Sequence, residues 1–188
     1  GSRFARPVNF GYSNTLCEIL GAGILLTMSL DVSLYCNCFE ANLIKTPPPS
    51  PHLVRVAHDG QVVTRARSSQ DVLAFDRWVD TACPHPEMVL EHHRIGNISL
   101  AATLYREIFD LCSRFNRPLP LTLEKVLYSG SHAGDVVPVE MLSPLLDETL
   151  VIESFVPDSS FPAALQEYAR KMRSILTTAI RIEKPIVF

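Results

Sequence analysis

The sequence predicts an α+β protein: an antiparallel sheet with helices packed on one side, in a single domain. Three observations support this fold class. Apolar residues alternate early in the chain, an Asp-Gly pair joins two short β-rich runs, and apolar residues later recur at helical spacing. The length of 188 residues, 47% of them hydrophobic, suffices for one substantial core. We therefore expect one α+β domain over residues 28–188.

Residues 1–27 are predicted to be an expression tag, a leader or an upstream extension peripheral to the fold. The chain opens with a Gly-Ser pair typical of a tag scar, and Met28 has the context of a natural start. The apolar run Leu16–Leu30 resembles a short signal-peptide segment, but Glu18 interrupts it and no small-residue cleavage site follows. A spanning helix needs roughly 20 apolar residues, so we expect no membrane segment there.

Three stretches predict the strands of the sheet. In Leu30–Phe39 apolar residues and cysteines alternate, which places Cys36 and Cys38 on the same face. The stretch His52–Arg65 holds two β-rich runs around the Asp-Gly pair, which is a strong hairpin signal. Met88–His93 alternates as an extended strand does.

Apolar residues at helical spacing predict four helices. These helices cover Ser69–Ala82, Leu100–Phe115, Pro138–Leu150 and Phe161–Ile182. Pro84 stops the first helix, and Asn97 or Ser99 can cap the second. The basic residues of the last helix are typical of the solvated outer face of a core helix.

Two pairs of soft ligands indicate a candidate metal site. Cys36-x-Cys38 lies on a predicted strand, and Cys83-x-His85 lies at a predicted helix end with a proline corner between its members. Three thiolates and one imidazole suit tetrahedral zinc, so zinc is the expected metal and a structural role the expected one. In the alternative interpretation, the cysteines are small buried hydrophobes, since free cysteine is among the most buried residue types.

Other histidines offer candidate catalytic groups. His132 and Asp135 share a glycine-bearing loop, where they could act as a general base and the residue that orients it. His92 and His93 are neighbours on a predicted strand, so they point to opposite faces and at most one joins a given site. No serine or cysteine stands at a position that identifies it as a matching nucleophile.

Composition narrows the function classes. A formal net charge of -3 and the absence of a basic run argue against a nucleic-acid partner. The odd count of five cysteines does not form a disulfide framework, which favours a reducing compartment and a cytoplasmic protein.

Four motifs resemble an uncharacterised family of small bacterial proteins. They are S-L-D-x-x-L-Y-C-x-C from Ser29, A-C-x-H from Ala82, H-H-R-x-G-N-I-S from His92 and H-x-G-D from His132. The resemblance covers residues 28–188 and implies an orphan or immunity-like protein of the kind found beside toxin genes. Ala133 stands where such loops carry a cysteine, which argues against a thiol in this loop.

Two functions follow from these observations. The first is a binding or inhibitory, immunity-like protein with a protein partner, in which zinc holds irregular loops together. The second is a metal-dependent enzyme, a hydrolase that uses His132 and Asp135. The number of protein ligands separates them, because a catalytic zinc keeps an open coordination position and a structural zinc does not.

Overall fold

The computed structural model describes residues 29–128 and 134–188, and the interpretation of residues 1–27 falls outside them. Six strands lie within these ranges: β1 (Ser29–Tyr35), β2 (Val54–Val56), β3 (Val62–Thr64), β4 (Val89–Asn97), β5 (Val136–Val137) and β6 (Ile186–Val187). The same ranges contain four α-helices: α1 (Ser69–Val79), α2 (Ile98–Phe115), α3 (Val139–Phe155) and α4 (Pro162–Ile182). The predicted α+β class is confirmed.

The main sheet is antiparallel, with the strand order β4-β1-β6-β5. Strand β1 pairs with β4 along its whole length, from Ser29 opposite Asn97 to Tyr35 opposite Val89, with two irregularities in register. On its other side β1 pairs with β6, which in turn pairs with β5. The predicted first and third strands are therefore neighbours in one sheet.

One face of β1 packs in the main core. Leu30, Val32 and Leu34 are buried, whereas the residues between them are partly exposed, because successive side chains point to opposite faces. Helices α2 and α4 both contact β1 and β4, and α3 packs against α4. None of the helices among the described residues is both long and apolar enough to cross a membrane.

Local side chains fix the helix starts. The Ser68 hydroxyl accepts a hydrogen bond from the backbone N–H of Asp71 at 3.1 Å, and α1 begins there. Asn97 caps α2 in the same way, since its side-chain oxygen accepts from the backbone N–H of Leu100 at 2.9 Å. Of the two predicted caps for this helix, Asn97 is the one observed.

Two details of the predicted sheet need correction. The hairpin within His52–Arg65 is present, but β2 and β3 form a separate two-stranded sheet. Strand β1 ends at Tyr35 instead of Phe39, so Cys38 lies in the turn that follows. The hairpin stays apart because it packs on a second cluster of buried residues: Cys36, Cys38, Val62, Phe75, Trp78, Ala82, Cys83 and Met88.

Candidate metal centre

Four ligand residues converge within this second cluster. The sulfurs of Cys36, Cys38 and Cys83 and a ring nitrogen of His85 all lie within 4.8 Å of one another. The two ligand pairs proposed from the sequence therefore form one group, and its donor set is compatible with zinc.

The separations between these atoms approach those of a tetrahedral site. The Cys83 sulfur lies 3.8 Å from the Cys36 sulfur and 3.7 Å from Nδ1 of His85. The Cys38 sulfur lies 3.4 Å from the same nitrogen. Zinc bonds of about 2.3 Å to sulfur and about 2.0–2.1 Å to nitrogen place two sulfurs about 3.8 Å apart, and a sulfur and a nitrogen about 3.5 Å apart. Three of the ligand contacts already match these values.

The end of β1 places the first ligand pair. The backbone N–H of Cys36 donates to the carbonyl of Met88 at 2.8 Å, which extends the pairing of β1 with β4 by one residue. The chain then turns, because the N–H of Leu43 donates to the carbonyl of Cys38 at 2.8 Å. Asn42, in this turn, adopts a left-handed conformation with φ of 55°. This turn keeps Cys38 beside Cys36.

The end of α1 places the second pair. The N–H of Ala82 donates to the carbonyl of Trp78 at 2.7 Å, which closes the last turn just before Cys83. The carbonyl of Ala82 accepts from the N–H of Lys45 at 2.7 Å and so joins this segment to the loop that follows Cys38. Because both segments are fixed to each other through the backbone, the four side chains meet.

Burial sets the chemistry of the thiols. Cys36, Cys38 and Cys83 are only 2%, 5% and 4% exposed, whereas His85 is half-buried. Burial, together with the neighbouring thiols, raises the pKa of Cys36 to about 12, and burial also raises the pKa of Cys38. The thiols of Cys36 and Cys38 hold their protons near neutral pH unless a cation displaces them, as Zn²⁺ does when it binds cysteine.

The buried-hydrophobe interpretation accounts for only part of this geometry. It explains why the three cysteines are inaccessible, since small thiols pack well in a core. It does not explain why Nδ1 of His85 faces two sulfurs at contact distance. Both features are compatible with a shared cation.

His92 and His93 point to opposite sides of β4, as alternation requires, and each has its own partner. Nδ1 of His92 lies 3.0 Å from the Ser33 hydroxyl. Nε2 of His93 lies 2.6 Å from a carboxylate oxygen of Glu91. Neither histidine belongs to the cysteine group.

Glu91, His93 and Ser174 form a hydrogen-bonded group that could not be predicted from the sequence. The Ser174 hydroxyl donates to the Glu91 carboxylate at 2.6 Å, so the carboxylate stands between serine and His93. Burial raises the pKa of Glu91, but the hydrogen bonds from Ser174 and His93 outweigh burial, and the net pKa is lowered. The serine proton is directed to a carboxylate and not to an imidazole, unlike a nucleophilic triad. Since 83 residues separate the two, no local pattern signals the contact.

The predicted pair of His132 and Asp135 is described in part, because His132 falls outside the described residues. The Tyr128 hydroxyl donates a hydrogen bond to the carboxylate of Asp135, and this bond raises the pKa of Tyr128. The carbonyl of Asp135 also accepts from the N–H of Phe188 at 3.0 Å. Lys125, Tyr128 and Asp135 border a cavity of about 280 Å³.

Lys184 is a buried cation that the sequence reading did not single out. Its Nζ donates to the carbonyl of Gly60 at 3.1 Å and lies 2.6 Å from a carboxylate oxygen of Glu40. Glu40 follows Cys38 by two residues, and Gly60 lies at the tip of the β2–β3 hairpin. Lys184 thus links the turn that contains Glu40 and the hairpin tip at Gly60 to the end of α4.

Comparisons with protein-family models, with curated proteins and with solved structures found no match to this chain. The resemblance to small bacterial proteins therefore stays a prediction. The candidate metal centre depends on the positions of its four ligand residues alone.

Proposed function

We propose that this chain is a zinc-stabilised binding protein of the inhibitory, immunity-like type, in which Cys36, Cys38, Cys83 and His85 hold one structural Zn²⁺. The observation that carries the proposal is the group of four protein ligands at near-tetrahedral separations. Four protein ligands fill the coordination shell of zinc, whereas catalytic zinc has three and keeps the fourth position for water or substrate.

The position of the four ligands gives the ion a structural task. It would cross-link the end of β1 to the segment after α1, two places where the chain forms turns instead of a helix or a strand. Within the described part of the chain, the second cluster around it contains eight buried apolar residues, three of which are the cysteines themselves. A core this small benefits from a metal, because the free energy of metal binding becomes free energy of folding.

A binding role is supported because the described residues do not form a complete set of catalytic groups. His92 bonds to Ser33, and the Glu91 carboxylate separates Ser174 from His93. The surface of α2 also exposes Ile98 and Phe109 by more than half, at 54% and 52%. Exposed large apolar side chains are one means by which proteins contact a partner.

Metal analysis of the purified chain, followed by cobalt substitution, tests the structural zinc. We expect one zinc per chain and, after exchange, the absorption of tetrahedral cobalt bound to thiolates. Added imidazole or cyanide should leave this spectrum unchanged, because no coordination position is open. Cys112→Ala serves as the matched control, since Cys112 is buried in the main core and lies outside the ligand group. A spectrum that shifts with added ligand would contradict a closed site.

A metal-dependent hydrolase is the second candidate, and the cavity beside Tyr128 and Asp135 favours it. This function requires His132 and Asp135 to act near a metal with an open position. Hydrolysis of chromogenic esters by the zinc-loaded chain, abolished by both Asp135→Asn and metal removal, would establish it. We expect the zinc-loaded chain to show no hydrolysis above the metal-free chain.

A further inference from the structure

Cys36 and Cys83 are arranged as a pair within the ligand group. Their sulfurs lie 3.8 Å apart, on segments separated by 47 residues. The third sulfur, from Cys38, lies 3.4 Å from the imidazole nitrogen of His85. A disulfide bond is about 2.05 Å long, so the first two sulfurs need to approach by less than 2 Å.

We propose that Cys36 and Cys83 are an oxidation site: a peroxide converts them to a disulfide, and the zinc ion leaves. The inference rests on the proposed zinc site and adds a chemical reaction to it. Zinc binding supplies the reactive form of both residues, because the coordinated sulfurs are thiolates, which are the nucleophiles in thiol oxidation.

The reaction takes place in two steps. One thiolate attacks an oxygen of hydrogen peroxide, the O–O bond breaks, and a sulfenic acid and hydroxide form. The second thiolate then attacks the sulfenic sulfur, the S–S bond forms, and a second hydroxide departs. In total, two thiolates, one peroxide and two protons give one disulfide and two water molecules. The sulfurs lose two electrons, the peroxide gains them, and Zn²⁺ keeps its oxidation state.

Loss of two ligands releases the metal. After oxidation only Cys38 and His85 remain as ligands, which is half of the tetrahedral set. The new covalent bond replaces the ion as the link between the end of β1 and the segment after α1.

Access to the sulfurs lies on the histidine side. The three cysteines are buried, whereas His85 is half-buried and its ring nitrogen contacts two of them. Hydrogen peroxide, which is small, therefore reaches the sulfurs from the side of the group that carries His85.

The test begins with the zinc-loaded full chain and hydrogen peroxide. Released zinc is followed with a chromogenic chelator, and the disulfide is located by mass spectrometry of a digest prepared without reductant. We expect one zinc released per peroxide consumed, a peptide pair linked through Cys36 and Cys83, and full recovery of zinc binding after treatment with a dithiol. Cys112→Ala should behave as the unmodified chain does.

Two variants keep the outcome interpretable. Cys38→Ser removes a ligand but leaves the pair, so under excess peroxide it should still form the linkage of Cys36 to Cys83, more slowly than the zinc-loaded chain because less zinc is bound to supply the thiolates. Cys83→Ala should form no intramolecular disulfide. If zinc is bound but the linkage joins Cys38 to another cysteine, or only sulfinic acids form, the oxidation site is wrong and the zinc site stands. If metal analysis before oxidation finds no zinc, both proposals fail.

Discussion

Cys83 makes more of the ligand contacts than the other two cysteines do, since its sulfur approaches both the Cys36 sulfur and Nδ1 of His85. It follows directly on the segment that is hydrogen-bonded to Lys45. Replacement of Cys83 would therefore weaken the connection between the metal and the segment after α1.

We predict that Cys83→Ser lowers zinc content and stability together. A neutral hydroxyl is a poor zinc ligand, and a buried hydroxyl without a partner adds its own cost. We expect the free energy of unfolding to fall by about 3 kcal/mol, which lowers the melting temperature by roughly 6–12 °C. Metal analysis and thermal denaturation measure the two effects. Cys112→Ala should retain its zinc, and a Cys83→Ser variant with full zinc content would refute the ligand assignment.

Acid should release the metal. The pKa values of Cys36 and Cys38 are raised, so in the metal-free chain these thiols bind protons firmly and zinc must displace them. Affinity for zinc therefore falls as the pH falls, by at least about tenfold per pH unit, since each displaced proton contributes one factor of ten. Competition with a chelator across neutral and mildly acidic pH measures this slope. A pH-independent affinity would mean that the thiols are not ligands.

At the scale of elements, β4 contacts both strand β1 and helix α4. It pairs with β1 along one edge, and Glu91 accepts a hydrogen bond from Ser174 of α4. Lys171 of α4 adds a bond from its Nζ to the carbonyl of Arg94 at 2.8 Å. These contacts attach an edge strand to the longest helix.

We predict that this attachment weakens in acid. The pKa of Glu91 is lower in the folded chain than its ordinary value of 4.5. The ionised carboxylate thus adds stability above that value, and this stability is lost as the pH falls through the folded pKa. Glu91→Gln should cost about 1 kcal/mol near neutral pH and much less in acid. Urea denaturation at both pH values measures the difference, and Glu140→Gln, at an exposed position of α3, is the control. An equal loss at both pH values would contradict the assignment.

Helix positions were predictable because their signals are local. The capping side chains of Ser68 and Asn97 lie within a few residues of the helices they start, and apolar spacing repeats along each helix. Strands β5 and β6 were not predicted, since two residues are too few to show alternation. Their pairing of Val136 with Val187 joins residues far apart in sequence.

Only part of the candidate site could be predicted from the sequence. Its ligand types and their pairing within each motif are local features, but their convergence depends on backbone contacts between distant segments. The alternation of apolar residues in the sequence also continues past Tyr35, where β1 ends. It does so because Cys36 and Cys38 are both buried, although they lie outside the strand. Lys184 gave no signal, since a lysine near a helix end is usually solvated.

At the scale of the whole molecule, two clusters of buried residues share few links. Leu90 packs against both clusters, and Lys184 joins the end of α4 to Glu40 and Gly60. Three of the four residues of the candidate metal centre belong to the second cluster, and Glu40, which Lys184 contacts, follows Cys38 by two residues.

We predict that Lys184→Met lowers both stability and zinc affinity. Methionine keeps much of the volume, but the carbonyl of Gly60 loses a buried donor, which costs about 1–3 kcal/mol. Release of Glu40 loosens the turn that holds Cys38, so zinc should bind more weakly. Lys171→Met, which replaces a lysine within α4 that is bonded to Arg94, should leave zinc affinity unchanged. Thermal denaturation and chelator competition measure the two effects, and equal zinc affinity in both variants would rule out the link.

Strand β6 lies between β1 and β5 although it follows all the other described strands along the chain. A protein emerges from the ribosome from its N-terminus, and its early parts fold first. The pair of β1 and β4 has both partners available by Asn97, whereas β5 has no neighbour in the sheet until Ile186 and Val187 have been made. The sheet therefore cannot close before Ile186 and Val187 have been made, and a ribosome paused within α4 would hold a chain in which β1 is paired with β4 but β5 still lacks its neighbour.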